Sequence, residues 1–289
     1  MSVRLAIAKA ICRSMARHDE KSERGRVIPP GVRAEKDVAV PGALPADVYV
    51  PENYAADELP LLFDVHGGGL MYGRKGLNER FCRTVASLGF TVVSAEYRLA
   101  PQATLPEMLT DVCRAARFFA DSRGTNGFYL AGDSAGAMLA LLADAAASSE
   151  TVRAAFGLAE SDVAPRADGL LLISGMFCFR RRGARALAGV PVGKGGWLSL
   201  TRIPDLTDVY LPRRAFLASS DGDFLRSSTL RLAKELEARG AEFALDMRPK
   251  RSGAHKFVHV YPVRDPEWQE SADMLARAAA FLRGGEKRQ

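Results

Sequence analysis

Short apolar runs rich in β-branched and aromatic residues recur along the chain, and Gly or Pro residues punctuate the segments between them. Runs of this length and composition are typical of β-strands. Between them lie longer stretches in which apolar residues return with the period of a helix. The predicted strands are Asp47–Val50, Leu61–Val65, Thr91–Ala95, Phe128–Ala131, Leu170–Ser174, Phe216–Ser219 and Phe243–Met247.

The helical period is clearest in stretches between these strands, one of which is rich in Ala and Leu. Strands that alternate with helices need crossover connections, and such connections imply a mostly parallel sheet. We therefore predict a doubly wound α/β fold, in which ligands bind beyond the carboxyl ends of the strands. The clearest predicted helices are Leu77–Leu88, Pro106–Asp121, Ser134–Ser148 and Ser228–Arg239.

Length and composition suit one folded domain. The chain has 289 residues, of which 47% are apolar and 26% are charged, as in ordinary soluble globular proteins. The sequence contains no internal repeat and no low-complexity linker. We expect a single domain over residues 1–289.

An apolar residue stands at every fourth position from Val3 to Met15, which predicts a helix with one apolar stripe. Basic residues interrupt this stretch, so it lacks the continuous apolar region of a secretory signal. An organelle transit peptide has a similar pattern but is rich in Ser, which is scarce here. No apolar run reaches the roughly 18 residues that span a bilayer. We expect a cytoplasmic protein without an integral membrane segment.

The cysteines and the net charge argue against a disulfide-bonded, a metal-binding or a nucleic-acid-binding protein. Widely separated cysteines in apolar surroundings are typical of buried reduced thiols, so we expect neither disulfides nor a metal site. The net charge of +6 is concentrated partly at Arg180–Arg182 and Arg185. No nucleic-acid module accompanies this cluster, which we interpret as a solvated loop, and we expect no nucleic-acid partner. The cysteines are Cys12, Cys82, Cys113 and Cys178.

The strongest motif is Gly132-Asp133-Ser134-Ala135-Gly136, which lies between the predicted strand Phe128–Ala131 and the helix that follows. A nucleophile elbow needs a strand, a tight turn and a helix, with small residues beside the serine, because the turn lifts the hydroxyl above the sheet. An ordinary Gly-rich turn could carry the same residues. In this context the motif indicates Ser134 as a nucleophile.

A second motif, His66-Gly67-Gly68-Gly69, directly follows the predicted strand Leu61–Val65. Consecutive glycines leave backbone N–H groups unshielded, and such donors stabilise the oxyanion that forms in acyl transfer. A glycine triplet alone marks only a loop. Its position upstream of Ser134 is where a serine hydrolase places its oxyanion loop.

A serine nucleophile needs a base, and the base needs a carboxylate that orients it. His255 and His259 follow the last predicted strand, while Asp221 and Asp223 follow the strand before it. The residues alone leave both pairs open. Either choice gives the order Ser, Asp, His that α/β-hydrolases use.

Four motifs carry a family resemblance: His66-Gly67-Gly68-Gly69, Tyr97-Arg98-Leu99-Ala100-Pro101, Gly132-Asp133-Ser134-Ala135-Gly136 and Asp223-Phe224-Leu225. With them the chain resembles the hormone-sensitive-lipase-like family of α/β-hydrolases, which includes bacterial esterases and arylacetamide deacetylases. The resemblance covers roughly residues 45–285. It implies the α/β-hydrolase fold, a doubly wound and mostly parallel sheet with a small helical cap.

The resemblance also implies roles for individual residues. Ser134 is the nucleophile, and the backbone N–H groups of Gly68, Gly69 and Ala135 form the oxyanion hole. Asp223 stands at the acid position of the family's Asp-Pro-Leu pattern, although the next residue is a phenylalanine instead of proline. Its alternative, Asp221, is interpreted as a carboxylate of a solvated loop.

The choice of base depends on the spacing to the closing helix. The family commonly has a histidine, one further residue and an aromatic residue, and both His255 and His259 fit that pattern. The family's closing helix begins shortly after the base, and Ser271 lies nearer to His259 than to His255. We therefore predict His259 as the base and His255 as a loop histidine.

A cap over the site is expected from the same resemblance. Its candidate segments are residues 1–40 and 176–212, and the second is rich in Gly and therefore loop-like. Trp197, Leu198 and Leu200 could line an acyl pocket, although packing within the cap is the role we favour.

These inferences converge on a serine carboxylic-ester hydrolase that acts on small or short-acyl esters without a cofactor. One alternative is a hydrolase-derived protein that binds a small ligand without turnover. Another is an amidase or acyltransferase that uses the same residues, because fold and triad do not choose the leaving group. The oligomeric state stays open, a homodimer included.

Overall fold

The computed structural model describes residues 26–122, 126–177 and 200–284, together with Ala10, Ser14 and Arg17. Its centre is an eight-stranded sheet with the order β1-β2-β4-β3-β5-β6-β7-β8. The pairs β1–β2 and β2–β4 are antiparallel, and the other neighbours are parallel. The strands are β1 (Val32–Val38), β2 (Ala46–Pro51), β3 (Leu61–Val65), β4 (Thr91–Ala95), β5 (Phe128–Asp133), β6 (Gly169–Ile173), β7 (Ala215–Ser220) and β8 (Phe243–Arg248), and a separate hairpin joins β9 (Arg251–Ser252) to β10 (His255–Lys256).

Helices connect the parallel strands and lie on both faces of the sheet. The described α-helices are α1 (Glu79–Ala86), α2 (Leu105–Ser122), α3 (Ala135–Ser148), α4 (Glu150–Phe156), α5 (Ile203–Thr207), α6 (Arg226–Ala238), α7 (Tyr261–Arg264) and α8 (Gln269–Leu282). Short 3-10 helices span Lys75–Asn78 and Glu160–Asp162.

Two apolar clusters hold the layers together. Buried side chains of α2, α3 and α6 belong to the cluster on one face, whereas those of α1 and α8 belong to the cluster on the other. Leu61 and Phe63 of β3 pack in the first cluster and Leu62 in the second, as the two-residue period of a strand requires. The doubly wound, mostly parallel α/β fold predicted from the sequence is confirmed.

All seven predicted strands are present, and the two-residue strands β9 and β10 are additional to them. In the eight-stranded sheet, β1 is the strand that the sequence pattern did not indicate. Most of its side chains are exposed or half-buried, because it lies at the edge of the sheet and pairs only with β2. Its sequence is accordingly charged and lacks the apolar run that marks a central strand. The segment Val32–Val38 therefore belongs to the sheet, although it falls within the first candidate cap segment, residues 1–40.

Other expectations fall partly outside the described residues. The N-terminal apolar stripe, the arginine cluster near residue 182, and Trp197 and Leu198 of the second candidate cap segment all lie there. Leu200 is described and is buried in a cluster with α5 and α6.

Cys82 and Cys113 are buried free thiols, as predicted. Within the described ranges, every helix is too short or too polar to cross a membrane.

Candidate active site

Ser134 occupies a strained turn between β5 and α3. Its backbone has φ 53° and ψ −115°, a conformation that a residue with a side chain rarely adopts. Two hydrogen bonds hold the turn in place, because the Ser134 N–H donates to the carbonyl of Ile173 at 2.9 Å and the Met176 N–H donates to the carbonyl of Ser134 at 2.9 Å. The serine is therefore fixed at the carboxyl edge of the central strands.

The two glycines of this turn are needed because backbone passes close to both of them. A Cβ atom on Gly136 would lie 1.9 Å from the carbonyl oxygen of Val65, at the end of β3. A Cβ atom on Gly132 would lie 2.5 Å from the carbonyl carbon of Gly136. Any larger residue would push α3 away from the sheet, so the geometry agrees with the nucleophile elbow predicted from the sequence.

His259 stands between Ser134 and Asp223. Its Nε2 lies 3.0 Å from the hydroxyl oxygen of Ser134, and its Nδ1 lies 2.8 Å from Oδ1 of Asp223. With the proton on Nδ1, the imidazole donates to the carboxylate and leaves Nε2 free to accept the serine proton. The structure thus brings together the three side chains that the sequence singled out.

Asp223 is a buried carboxylate with several donors. Besides His259, the Ser219 hydroxyl donates to Oδ2 at 2.8 Å and the Leu225 N–H donates to Oδ1 at 2.8 Å. Burial alone would raise the pKa of Asp223, but the hydrogen bond and charge of His259, with bonds from Ser174 and Leu225, bring this pKa below its ordinary value. The carboxylate is therefore ionised at neutral pH.

Close backbone contact joins the loop that carries Asp223 to the loop that carries His259. Gly222 forms a parallel bridge with Val258, and a Cβ atom on Gly222 would lie 2.2 Å from the carbonyl oxygen of Phe257. The Ser220 hydroxyl donates to that same carbonyl at 2.9 Å. These contacts fix the distance between the carboxylate and the imidazole.

His255 and Asp221, the alternatives left open by the residues, lie in other surroundings. The His255 ring stacks on Trp268 with 4.2 Å between ring centroids, and its Nδ1 lies 3.0 Å from Oε2 of Glu270. Asp221 accepts from Nε of Arg226 at 2.7 Å. These side-chain contacts are with residues other than Ser134, whereas His259 contacts Ser134 directly and Asp223 contacts His259.

The glycine loop follows β3, the neighbour of β5, and therefore lies at the same edge as Ser134 and Ala135. Gly68 has φ 115° and Gly69 has φ 61°, and a Cβ atom on Gly68 would lie 1.9 Å from the carbonyl oxygen of Tyr72. The first of these φ values is open only to glycine at low cost. The two glycines thus permit a tight loop. Because they have no side chains, their backbone N–H groups stay uncovered.

The Tyr97–Pro101 stretch packs against this loop. The Tyr97 ring stacks on His66 with 4.4 Å between centroids, and its hydroxyl donates to the His66 carbonyl at 3.0 Å. The Ala100 N–H donates to the carbonyl of Leu70 at 2.8 Å. These contacts hold the Tyr97–Pro101 stretch against the glycine loop.

Comparison with known proteins bears on the identity of this fold. A family model described as the alpha/beta hydrolase fold matches residues 62–215, which is more than half of the chain. The chain belongs to the alpha/beta hydrolase family. The resemblance drawn from the motifs is confirmed at this level, and the match includes both the glycine loop and the serine turn.

Two curated relatives are similar in sequence to parts of this chain. A protein named Lipase 2 from Moraxella sp. (strain TA144) is 39% identical over 97 residues, which are 32% of this chain and 22% of that protein. A protein named Acetyl esterase from Salmonella schwarzengrund (strain CVM19633) is 31% identical over 169 residues, which are 56% of this chain and 46% of that protein. The chain thus spans less than half the length of either relative.

Solved structures share the fold over nearly the whole chain. Esterase B from Lactobacillus rhamnosis, in an inhibited crystal form, superposes with a TM-score of 0.87 at 22% identity, over 98% of this chain and 96% of that one. An esterase described as belonging to the bacterial hormone-sensitive lipase (HSL) family superposes with a TM-score of 0.72 at 20% identity, over 98% of both chains. These likenesses extend the family fold beyond the residues that the family model matches.

A buried polar network beneath the glycine loop was not predicted from the sequence. The Asn78 amide donates to Oδ2 of Asp64 at 3.0 Å and to Oδ1 of Asp133 at 2.9 Å. Asp133 also accepts from the Gly67 N–H at 2.9 Å, which ties the glycine loop to the serine turn. One signal was available, because Asp64 is the single charged residue in the apolar strand Leu61–Val65. Its partners, however, come from distant parts of the chain.

Asp64 and Asp133 are two buried carboxyl groups, and a negative charge on Asp133 disfavours ionisation of Asp64. Burial, and after it the negative charge of Asp133, raise the pKa of Asp64 to about 7. Burial also raises the pKa of Asp133, although the Asn78 amide and the charge of His66 act in the opposite direction. Asp64 is fully buried and its Oδ1 has no hydrogen-bond partner. Below about pH 7 Asp64 is therefore mostly protonated.

Asp64→Asn is expected to stabilise the protein in a pH-dependent manner. The unfolded chain loses the Asp64 proton near the ordinary value of 3.8, whereas the fold keeps it until about pH 7, so the wild type loses stability across that window. Asparagine mimics the protonated acid and removes this loss. The stability difference between variant and wild type should grow by about 4 kcal/mol from about pH 4 to about pH 8 in urea unfolding.

Asp47→Asn provides a control of opposite sign. Asp47 is also buried in the sheet, but Lys36 and Lys75 lie 3.1 Å and 2.9 Å from its oxygens. Burial would raise the pKa of Asp47, yet the Asp37 N–H and the two lysines bring it below its ordinary value. This substitution should therefore destabilise the protein above the ordinary carboxyl pKa, and less so as the pH falls below it. The explanation fails if both variants respond to pH alike.

Proposed function

We propose that the protein is a serine carboxylic-ester hydrolase that acts on small, short-acyl esters through Ser134, His259 and Asp223. The observation that supports this most strongly is the continuous hydrogen-bond chain of 3.0 Å from Ser134 to His259 and 2.8 Å from His259 to Asp223. A hydroxyl, an imidazole and a buried carboxylate in this order form the arrangement that activates a serine for acyl transfer.

In the first half-reaction, Ser134 attacks the ester carbonyl while Nε2 of His259 takes the hydroxyl proton. The ionised Asp223 orients the imidazole and stabilises the imidazolium that forms. The backbone N–H groups of Gly68, Gly69 and Ala135 are proposed to donate to the oxyanion. The imidazolium then returns its proton to the departing alcohol, which leaves an acyl group on Ser134.

In the second half-reaction, a water molecule attacks the acyl group as His259 takes one of its protons. When the second oxyanion collapses, the imidazolium returns this proton to the serine oxygen, which releases the carboxylic acid and restores the serine hydroxyl. The nucleophile, base and amide donors of this scheme all belong to the chain, so the proposal includes no cofactor. The names of the two curated relatives, an acetyl esterase and a lipase, support ester substrates, and the former supports a short acyl group.

The proposal is tested by covalent labelling together with turnover. The wild type is incubated with p-nitrophenyl butylphosphonate, whose phosphorus should bond to the oxygen of residue 134 as p-nitrophenolate leaves. Mass spectrometry of the digested protein locates the adduct. Hydrolysis of p-nitrophenyl acetate, butyrate, octanoate and palmitate is followed in parallel, and kcat/KM should fall as the acyl chain lengthens beyond butyrate.

Ser134→Ala is the matched control, because it removes one oxygen atom and leaves the turn intact. It should take up no phosphonate and should hydrolyse none of the esters above background. Equal hydrolysis by the two proteins, or an adduct elsewhere in the wild type, would refute the assignment. Labelling of Ser134 without ester turnover would favour the alternatives of ligand binding or of amide and acyl-transfer chemistry.

A further inference from the structure

A large apolar side chain stands in solvent beside the proposed base. Phe224 is 71% exposed, whereas the other phenylalanines among the described residues are buried or half-buried. Its ring centroid lies 4.2 Å from that of His259, at an interplanar angle of 41°. Exposure of this much aromatic surface is unfavourable in water, and core packing gives no reason for it.

Hydrogen bonds hold the backbone from which this ring projects. Phe224 lies between Asp223 and Leu225, and the Leu225 N–H donates to Oδ1 of Asp223 at 2.8 Å. The Asp223 N–H in turn donates to the carbonyl of Ser220 at 3.1 Å. The backbone of residue 224 therefore stays beside His259 as long as the carboxylate stays in place.

The chemistry of acyl transfer assigns a place to each half of the ester. The imidazolium of His259 must give its proton to the departing alcohol oxygen, so that alcohol leaves next to the imidazole. A ring that borders the imidazole and faces solvent is therefore available to the alcohol group of the ester. A bulky apolar alcohol would cover the ring and remove its surface from water, whereas a small alcohol would not reach it.

We propose that Phe224 is a specificity-determining residue that favours esters of bulky apolar alcohols, aromatic ones above all, by forming one wall of the site that the departing alcohol occupies. This inference rests on the ester-hydrolase function proposed above. It concerns the alcohol half of the substrate, on which the choice of acyl group has no bearing.

The test compares three acetates with one acyl group: benzyl, cyclohexylmethyl and ethyl acetate. The release of acetic acid is titrated at constant pH for the wild type, Phe224→Ala and Phe224→Leu. In Phe224→Ala, kcat/KM for benzyl acetate should fall about tenfold relative to that for ethyl acetate. Phe224→Leu keeps an apolar wall, so it should retain most of the preference for cyclohexylmethyl acetate but lose part of that for benzyl acetate.

Tyr54→Ala is the matched control. Tyr54 is another exposed aromatic residue, at 48%, but it follows β2, whose end pairs with the start of β4 at the opposite edge of the sheet. This variant should keep the wild-type ratio of benzyl to ethyl acetate.

The outcomes separate this inference from the function on which it rests. A ratio in Phe224→Ala within about twofold of the wild type, or an equal fall for all three acetates, would overturn the inference while ester hydrolysis stands. An equal fall would mean that Phe224 only supports His259. If the wild type hydrolyses none of the acetates and takes up no phosphonate, the proposed function falls, and the inference falls with it.

Discussion

His259→Ala is expected to lower kcat for p-nitrophenyl acetate by about 10⁵-fold, because the serine loses the group that accepts its proton. The matched variant His255→Ala should keep kcat within about twofold of the wild type, since His255 contacts Trp268 and Glu270 and not Ser134. Stopped-flow or steady-state kinetics on both purified variants measure the contrast. Circular dichroism establishes that each is folded.

If His255→Ala lowered kcat more than His259→Ala does, the base would be misassigned. A large loss in His255→Ala with a folded spectrum, together with an active His259→Ala, would transfer the role to the β10 histidine. Loss of activity in both variants with normal spectra would indicate that the segment between β9 and α7 acts as one unit, and the assignment of a single base would fail.

Asp223→Asn is expected to lower kcat by about 10⁴-fold with the fold preserved. An asparagine amide would donate to Nδ1 of His259, which forces the imidazole proton onto Nε2 and leaves the Ser134 hydroxyl without an acceptor. Asp221→Asn should change kcat by no more than about twofold, because Asp221 forms a surface ion pair with Arg226.

The same hydrolysis assay, run on both aspartate variants, decides whether Asp223 or Asp221 orients the imidazole. If Asp221→Asn were the slower enzyme, the contact of 2.8 Å between Asp223 and His259 would have no functional meaning. Retained activity in Asp223→Asn would likewise show that the orientation of the imidazole does not depend on this carboxylate.

The sheet and the serine turn could be predicted because their signals are local. The strands Leu61–Val65 and Thr91–Ala95 were predicted with the observed bounds, since a buried strand shows itself as an apolar run. The elbow needs two glycines and a serine within five adjacent residues, and backbone crowding explains why each glycine is present. The edge strand Val32–Val38 gave no such signal, because water and not the core surrounds most of it.

The remainder of the candidate site depends on contacts between distant segments. The local patterns around His255 and His259 are alike, and only family spacing favoured the second; the packing of His255 against Trp268 distinguishes them physically. The network of Asp64, Asn78 and Asp133 joins side chains that are 14 and 55 residues apart in the sequence. Periodicity along the chain contains no information about such encounters.

The bridge between Gly222 and Val258 has a consequence for biogenesis. Ser134 lies near the middle of the chain, whereas the proposed acid and base, Asp223 and His259, follow the later strands β7 and β10. On the proposed function, turnover requires that these later segments have docked on the sheet. The rate at which ester hydrolysis appears during refolding would then report the docking of the C-terminal strands.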